Sequence, residues 1–176
     1  MNRQKVSLEK FWAERFLFSP AEMFAFEEVK REDFIPPMLR NVAYDDIPLP
    51  ILRGKTISQP TTVMMMTNAL EVEEGNKVFE VGSGSGYQAA IIAKIAGPSG
   101  RVISTEVLPE LALFARSNIM HAGIKNVEVH EADGSRGWPS ESPFDRIILT
   151  AACKEFPKPL IDQLKVDGII IGPVGN

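Results

Sequence analysis

The stretch best suited to chemistry lies near the middle of the chain, where three glycines stand at alternate positions. Gly82, Gly84 and Gly86 follow a short apolar run and precede a small-residue segment with helical periodicity. This order predicts a buried strand, a tight turn and a helix. Glycines in such a turn allow positive φ and let a ligand approach the backbone closely. The N-terminus of the helix behind them offers free N–H groups to an anionic group.

The residues around these glycines narrow the class of ligand. A Gly-x-Gly-x-Gly pattern alone is weak, since any nucleotide-type ligand could use it, and its spacing differs from the Gly-x-Gly-x-x-Gly of pyrophosphate binders. Glu80 precedes the first glycine, and an acid there suits a ligand with a cationic amine better than a diphosphate. Ser83 and Ser85, between the glycines, join the candidate binding residues.

Three further segments carry polar residues at the ends of predicted strands. Glu106 ends the strand after the glycine turn, Asp133 and Gly134 follow the next one, and Thr150 ends a fourth. The carboxyl ends of parallel strands meet in one crevice, so these residues should lie together. Glu106 would accept hydrogen bonds from two ribose hydroxyls and Asp133 from an adenine amino group. A site that binds a ribose but lacks a glycine turn for a pyrophosphate suggests S-adenosyl-L-methionine as the ligand. The alternative interpretation is that each acid is a solvated loop residue.

Strands and helices alternate through residues 59–176, which predicts βαβ units and a parallel sheet. A turn is expected at Lys165–Gly168, before the last strand. The fold class is therefore α/β, a Rossmann-like, doubly wound, mainly parallel sheet with helices on both faces. The predicted strands cover 77–81, 101–106, 126–131, 144–150 and 169–171, and the main helices 61–70, 109–122 and 157–164.

Residues 1–58 are predicted to form an N-terminal helical and substrate-loop region of the same single domain, residues 1–176. Ser7–Leu17 is amphipathic, and a capping box at Ser19–Glu22 begins a second helix that runs to about Lys30. That second helix is expected to bury Phe24 among its apolar residues. Residues 44–55 have the proline and glycine content of a loop. The methionines at 64–66 predict core filling, with a plastic binding face as the alternative.

Composition limits the possible functions. The chain has 176 residues, a net charge of −4, one cysteine and two histidines. This excludes an internal disulfide, gives no cluster that predicts a metal site, and offers no basic excess for nucleic acid. No apolar run reaches membrane-spanning length and no signal peptide is recognisable. We expect a cytoplasmic monomer without a metal, a nucleic-acid partner or a membrane partner.

Together these motifs resemble the protein-L-isoaspartate O-methyltransferase family, from about Phe26 onward. The resemblance implies repair methylation of isoaspartyl residues in damaged proteins, with S-adenosyl-L-methionine as donor. It also implies that Ser58 belongs to the active site and that Thr56 and Ile57 bind substrate beside it. The segments that carry the resemblance are Phe34–Pro36, Ala43–Tyr44, Pro48–Ile51, Thr56–Pro60, Phe79–Ala90, Asp133–Ser135, Pro143–Ile148, Thr150–Ala152, Gln163–Lys165 and Pro173–Gly175.

Some alternatives stay open at this point. Ser58 could instead cap the helix that follows it. Leu52 and Lys55 stand where members of the family usually have glycine and glutamine, respectively. The C-terminal strands of the family are expected to be absent after Asn176. The alternatives to the repair enzyme are a methyltransferase for another substrate, such as tRNA adenine, and a cofactor-binding module that is inactive without that C-terminal cover.

Overall fold

A five-stranded parallel sheet forms the centre of the fold, as predicted. The computed structural model describes residues 3–175, so residues 1, 2 and 176 of the predicted domain lie outside the described part. The strands are β1 (Leu49–Pro50), β2 (Thr56–Ile57), β3 (Lys77–Val81), β4 (Arg101–Glu106), β5 (Val127–Glu131), β6 (Phe144–Leu149) and β7 (Leu164–Ile171). The α-helices are α1 (Arg3–Arg15), α2 (Pro20–Glu28), α3 (Pro60–Leu70), α4 (Tyr87–Ala96), α5 (Pro109–His121) and α6 (Lys158–Asp162).

The order of the strands places the glycine turn at the centre of the sheet. The sheet runs β5-β4-β3-β6-β7 and all its pairings are parallel. The strand order reverses at β3, which pairs with β4 on one side and with β6 on the other. Ligands of open α/β sheets bind at such a reversal, beyond the carboxyl ends of the strands. The turn that follows β3 occupies this position.

The two faces of the sheet are covered by different helices, because successive strand side chains point to opposite faces. Val78, Val102 and Ile148 pack in one apolar cluster with residues of α3 and α4. Their neighbours in sequence, such as Phe79 and Ile103, pack instead in a cluster with residues of β6 and α6. This confirms the predicted arrangement of helices on both faces of the sheet.

The N-terminal region is bonded to the beginning of α3. The predicted capping box forms: Ser19 Oγ accepts from Glu22 N, and Glu22 accepts from Ser19 N, at 3.2 and 2.6 Å. Trp12 of α1 is buried, and its indole N–H donates to Thr61 Oγ1 at 2.8 Å. Thr61 N and Oγ1 donate in turn to Asp46, at 2.9 and 2.7 Å. These bonds connect α1, the loop before β1 and the first turn of α3.

Two predictions in the first helices need correction. The first helix ends at Arg15, before the predicted Leu17, which is 97% exposed. Phe24 in α2 is exposed where burial was predicted. The buried residues of α2 are Glu22, Ala25 and Phe26, so Phe24 lies off the buried stripe of a 3.6-residue period.

Three other segments differ from the sequence prediction. The predicted loop at 44–55 contains β1, which pairs with β2 in a short antiparallel hairpin. β7 begins at Leu164, and the predicted turn at Lys165–Gly168 is a bulge within the strand, where Asp167 has φ 62°. Met64 fills the core as predicted, but Met65 is 49% exposed.

Within residues 3–175 no helix combines the length and apolarity needed to cross a membrane.

Candidate functional site

A cavity of about 440 Å³ opens at the carboxyl ends of the central strands, where the strand order reverses. This volume is within the range of small-molecule sites. Its lining combines the segment before α3, the ends of β3 and β4, the glycine turn, the residues that follow β4, β5 and β6, and the first turn of α5. The lining residues are Gly54, Lys55, Thr56, Ser58, Val81, Gly82, Gly84, Thr105, Glu106, Val107, Leu111, Ala132, Asp133, Gly134, Ser135, Thr150 and Ala151.

The glycine turn is fixed against the two neighbouring strands. Gly82 N and Ser83 N both donate to Thr105 O of β4, at 2.8 and 3.0 Å. Thr150, after β6, donates its hydroxyl to Gly82 O and to Val81 O. Gly82 has φ 94°, and a Cβ at this position would lie 2.6 Å from Thr150 Oγ1. Only glycine therefore fits beside Thr150, and Gly82 is one of the residues that line the cavity.

Glu106 connects the end of β4 to the glycine turn. Its Oε2 accepts from Gly84 N at 3.0 Å and its Oε1 from Leu108 N at 3.1 Å. The side chain is 7% exposed and lines the cavity. A carboxylate accepts about four hydrogen bonds, so Glu106 retains acceptor capacity for hydroxyl groups of a ligand. The carboxylate predicted to bind ribose therefore also fixes the turn that shapes the cavity.

Asp133 and Gly134 follow β5, the strand that pairs with β4. Asp133 Oδ1 accepts from Ser135 N at 3.0 Å, and this backbone hydrogen bond is the main reason that the pKa of Asp133 lies below its ordinary value. The carboxylate is ionised at neutral pH and faces solvent. Gly134 is buried against Thr105 and Val81, where a Cβ would lie 2.9 Å from Val81 Cγ1. Both residues line the cavity, beside Glu106.

The segment before α3 brings Thr56 and Ser58 to the same cavity. Both side chains are exposed, whereas Ile57 between them is 5% exposed and packs in the apolar core. Ser58 does not cap α3: the N-cap residue is Gln59, and Asp46 accepts the N–H of Thr61 in the first turn. The capping alternative for Ser58 is therefore wrong. Its hydroxyl remains available to a ligand.

The remaining predicted residues lie outside the large cavity. Glu80 is fully buried inside the sheet, where Ser104 Oγ donates to it. Gly86 is the N-cap of α4 and lies against Ile119 of α5. Ser83 and Ser85 line a smaller recess beside the cavity. Direct contact of these four residues with a cofactor stays a prediction. Among residues 3–175 no group of metal-ligating side chains is present.

Burial makes Glu80 a source of pH-dependent stability. Desolvation raises its pKa to about 8, and the nearby charge of Glu106 adds to this rise. Between pH 4.5 and 8 the unfolded chain ionises Glu80 while the folded chain keeps it protonated. The free energy of unfolding should therefore fall as the pH rises, by at most about 1.4 kcal/mol per pH unit from this group.

The variant Glu80→Gln should remove this contribution. We expect Glu80→Gln to become more stable relative to the parent as the pH rises from 5 to 8. Urea unfolding of both proteins across this range measures the difference, and other titrating groups cancel because both proteins share them. A stability difference that stays constant with pH would show that Glu80 is not protonated in the folded protein.

Sequence reasoning missed some lining residues and one supporting residue. Val107 and Ala132 are next to the predicted acids and bring apolar groups to the cavity. The rule that ligands bind at strand ends could have included them, because each directly adjoins a predicted site residue. Asp46, which supports the segment of Ser58, carries no such signal: its partner Thr61 lies 15 residues away.

Comparison with known proteins gives a consistent result. The family model described as protein-L-isoaspartate(D-aspartate) O-methyltransferase matches residues 2–176. A protein-L-isoaspartate O-methyltransferase of Ignicoccus hospitalis is 50% identical over 150 residues, which cover 85% of this chain and 71% of the relative. Its counterpart in Hyperthermus butylicus is 46% identical, over 96% of this chain and 73% of the relative.

Solved structures resemble the chain as a whole. A protein-L-isoaspartate O-methyltransferase superposes with a TM-score of 0.86 and 30% identity, over 99% of this chain and 55% of that one. A Plasmodium falciparum protein described as the same methyltransferase, in complex with S-adenosyl-L-homocysteine, has a TM-score of 0.83 and 25% identity. That match covers 100% of this chain and 85% of the other.

Proposed function

Because the chain belongs to the protein-L-isoaspartate(D-aspartate) O-methyltransferase family, we propose that it methylates the carboxylate of L-isoaspartyl residues in damaged proteins, with S-adenosyl-L-methionine as donor. The observation that carries the proposal is the meeting of Ser58 with Glu106 and Asp133 in one cavity. Isoaspartyl-containing proteins and peptides are then its partners. A cytoplasmic monomer without nucleic-acid or membrane partners remains our prediction.

The residues of the cavity fit S-adenosyl-L-methionine. Glu106 retains carboxylate lone pairs for ribose hydroxyls, and Asp133 is an ionised acceptor for an adenine amino group. Gly82 and Gly84 line the cavity without side chains, so a ligand can approach their backbone closely. Val107 and Leu111 supply apolar surface for a flat ring. When bound, the donor supplies a methyl group on a positively charged sulfur.

The acceptor needs little chemical activation. An isoaspartyl carboxylate has an ordinary pKa of about 4, so it is ionised at neutral pH and requires no general base. One of its oxygens forms a bond to the methyl carbon as the carbon–sulfur bond breaks, which leaves a methyl ester and S-adenosyl-L-homocysteine. The protein must therefore orient the carboxylate and remove its water. Ser58 lines the cavity, and we expect its hydroxyl to donate a hydrogen bond that orients the carboxylate.

Selectivity for isoaspartyl over aspartyl peptides tests the proposal. In an isoaspartyl residue the backbone continues through the side-chain carboxyl group, so the free carboxylate has a different position relative to the backbone. A site that recognises this arrangement should bind an ordinary aspartyl residue poorly. We expect methyl transfer from a radiolabelled donor to an isoaspartyl hexapeptide, with transfer to the matched aspartyl peptide lower by about 100-fold or more, as expected when bound polar groups lose their partners.

Two other outcomes would count against the proposal. Equal transfer to both peptides would indicate a general carboxyl methyltransferase. Binding of S-adenosyl-L-methionine without transfer to either peptide would favour a cofactor-binding module. Calorimetry with the donor alone, run on the same preparation, shows whether a protein without transfer activity is still folded and able to bind.

A further inference from the structure

Lys55 brings a positive charge to the large cavity that no residue of the described chain neutralises. It is the one cation among the described residues that line the cavity, and it is exposed. No ion pair or side-chain hydrogen bond within residues 3–175 includes its ammonium group. Its backbone is held in place, because Lys55 N donates to Leu52 O at 3.1 Å and Lys55 O accepts from Ile51 N at 2.8 Å. The ammonium group is therefore available to an anionic ligand.

Two other cations near the cavity already have acidic neighbours. Arg53 pairs with Glu110 in the first turn of α5, where Arg53 Nη2 and Glu110 Oε1 are 3.4 Å apart. Arg136 follows β5 and lies close enough to Asp133 for the two charges to interact. Within the described chain, Lys55 is therefore the cation at the cavity whose charge remains free for a ligand.

The position of Lys55 favours the acceptor over the donor. Lys55 stands three residues before Ser58, which is proposed to orient the acceptor carboxylate, and three residues of extended chain span at most about 10 Å. A polypeptide that enters beside Ser58 therefore brings the neighbours of its isoaspartyl residue within reach of the ammonium group. Lys55 does not line the smaller recess beside the glycine turn. The donor carries a positive charge on its sulfur, which a lysine repels.

We propose that Lys55 binds an acidic side chain of the acceptor, within about three residues of the isoaspartyl residue, and so determines which damaged sequences bind best. The inference rests on the proposed function and adds a specificity-determining residue to it. Glu106 and Asp133 line the same cavity and repel an acidic acceptor, and the free charge of Lys55 offsets this repulsion. The reacting carboxylate and the donor's own carboxylate have the same chemistry, so the experiment must separate these sources.

Peptide binding, measured without methyl transfer, tests the assignment. The full chain is saturated with S-adenosyl-L-homocysteine and titrated by calorimetry with isoaspartyl heptapeptides that carry one glutamate at each flanking position in turn. Each peptide is compared with its counterpart that has glutamine instead. We expect glutamate in at least one position to improve binding about threefold at low salt, as for an exposed ion pair. The improvement should disappear at about 1 M salt, where the Debye length is about 3 Å.

Substitutions of Lys55 show whether this residue causes the preference. Lys55→Gln should bind the two counterparts equally, and Lys55→Glu should prefer the glutamine peptide, because like charges repel. Lys125→Gln makes the same chemical change at an exposed lysine outside the cavity and should keep the preference of the parent. A parent without a glutamate preference, or a preference that persists in Lys55→Gln, would overturn the assignment.

Two further comparisons separate the other carboxylates. If Lys55→Gln weakens the isoaspartyl peptide relative to a neutral isoasparaginyl analogue, with or without glutamate, Lys55 binds the reacting carboxylate. If it weakens S-adenosyl-L-homocysteine but not 5′-methylthioadenosine, which lacks the amino-acid carboxylate, Lys55 binds the donor. Either result, in a protein whose parent shows no glutamate preference, assigns Lys55 to that carboxylate and refutes the proposal.

The outcome also distinguishes this inference from the proposed function. A parent protein that prefers the glutamate peptide, and loses this preference in Lys55→Gln, supports the role of Lys55 even if it transfers no methyl group. That combination would refute the proposed function alone. Methyl transfer to isoaspartyl peptides without any effect of flanking glutamate would refute the role of Lys55 alone. A parent that binds none of the peptides would refute both.

Discussion

Replacing Glu106 with alanine is expected to weaken the binding of S-adenosyl-L-methionine by about tenfold or more. Each hydrogen bond from a ribose hydroxyl to this carboxylate should contribute about 1.5–3 kcal/mol. The variant also removes the acceptor of Gly84 N and Leu108 N, so the glycine turn loses part of its support. Calorimetry of the donor with the folded variant measures the loss.

Glu106→Gln is the matched control for this prediction. Glutamine keeps the shape of the side chain and one acceptor oxygen, so the turn should be disturbed less than in the alanine variant. Its affinity for the donor should lie between those of the parent and Glu106→Ala. Circular dichroism must show that both variants are folded. An affinity equal to that of the parent in folded Glu106→Ala would remove Glu106 from the donor site.

Replacing Ser58 with alanine is expected to lower the rate of methyl transfer by about 100-fold, the usual effect of losing one aligned donor at a reaction centre. The affinity for the donor should stay within about twofold, because Glu106, Asp133 and the glycine turn are unchanged. Since Gln59 is the N-cap of α3 and Asp46 accepts from its first turn, stability should change by less than about 0.5 kcal/mol. Single-turnover assays, donor titration and urea unfolding measure the three quantities.

Two further substitutions test whether the hydroxyl is responsible. Ser58→Gly removes it without adding a side chain and should lose transfer as Ser58→Ala does. Ser58→Thr keeps a hydroxyl and should recover part of the rate. Normal turnover in the alanine variant would exclude Ser58 from the catalytic residues. A loss of about 1 kcal/mol in stability with intact turnover would show that the hydroxyl stabilises the fold and does not take part in the reaction.

The sequence predicted the central sheet well because its signals are local. β4 has the predicted bounds, and α5 ends one residue before the predicted end, ahead of Gly123. The bulge in β7 was missed because Asp167 and Gly168 are typical turn residues, and only pairing with β6 shows that the strand continues past them. Exposure of Phe24 depends on which stripe of α2 meets the core, which a nine-residue segment does not determine.

The candidate site shows the same division between local and distant signals. Glu106, Asp133 and Thr150 were predicted together because they end strands of one parallel sheet, and they line one cavity. Glu80 is also next to the glycine turn in sequence, but its side chain points into the sheet and is fully buried. The role of Asp46 depends on a contact with Thr61 across a hairpin, which neither composition nor periodicity encodes.

The hydrogen bonds from Trp12 through Thr61 to Asp46 have a consequence for protein engineering. The short segment of Ser58 is anchored to a helix that begins at the start of the described chain, so its geometry is not a property of the segment itself. Transplanting the pentapeptide Thr56–Pro60 onto another methyltransferase sheet would transfer the sequence motif without the hydrogen bonds that hold it in position. The smallest portable unit is the whole N-terminal region together with α3.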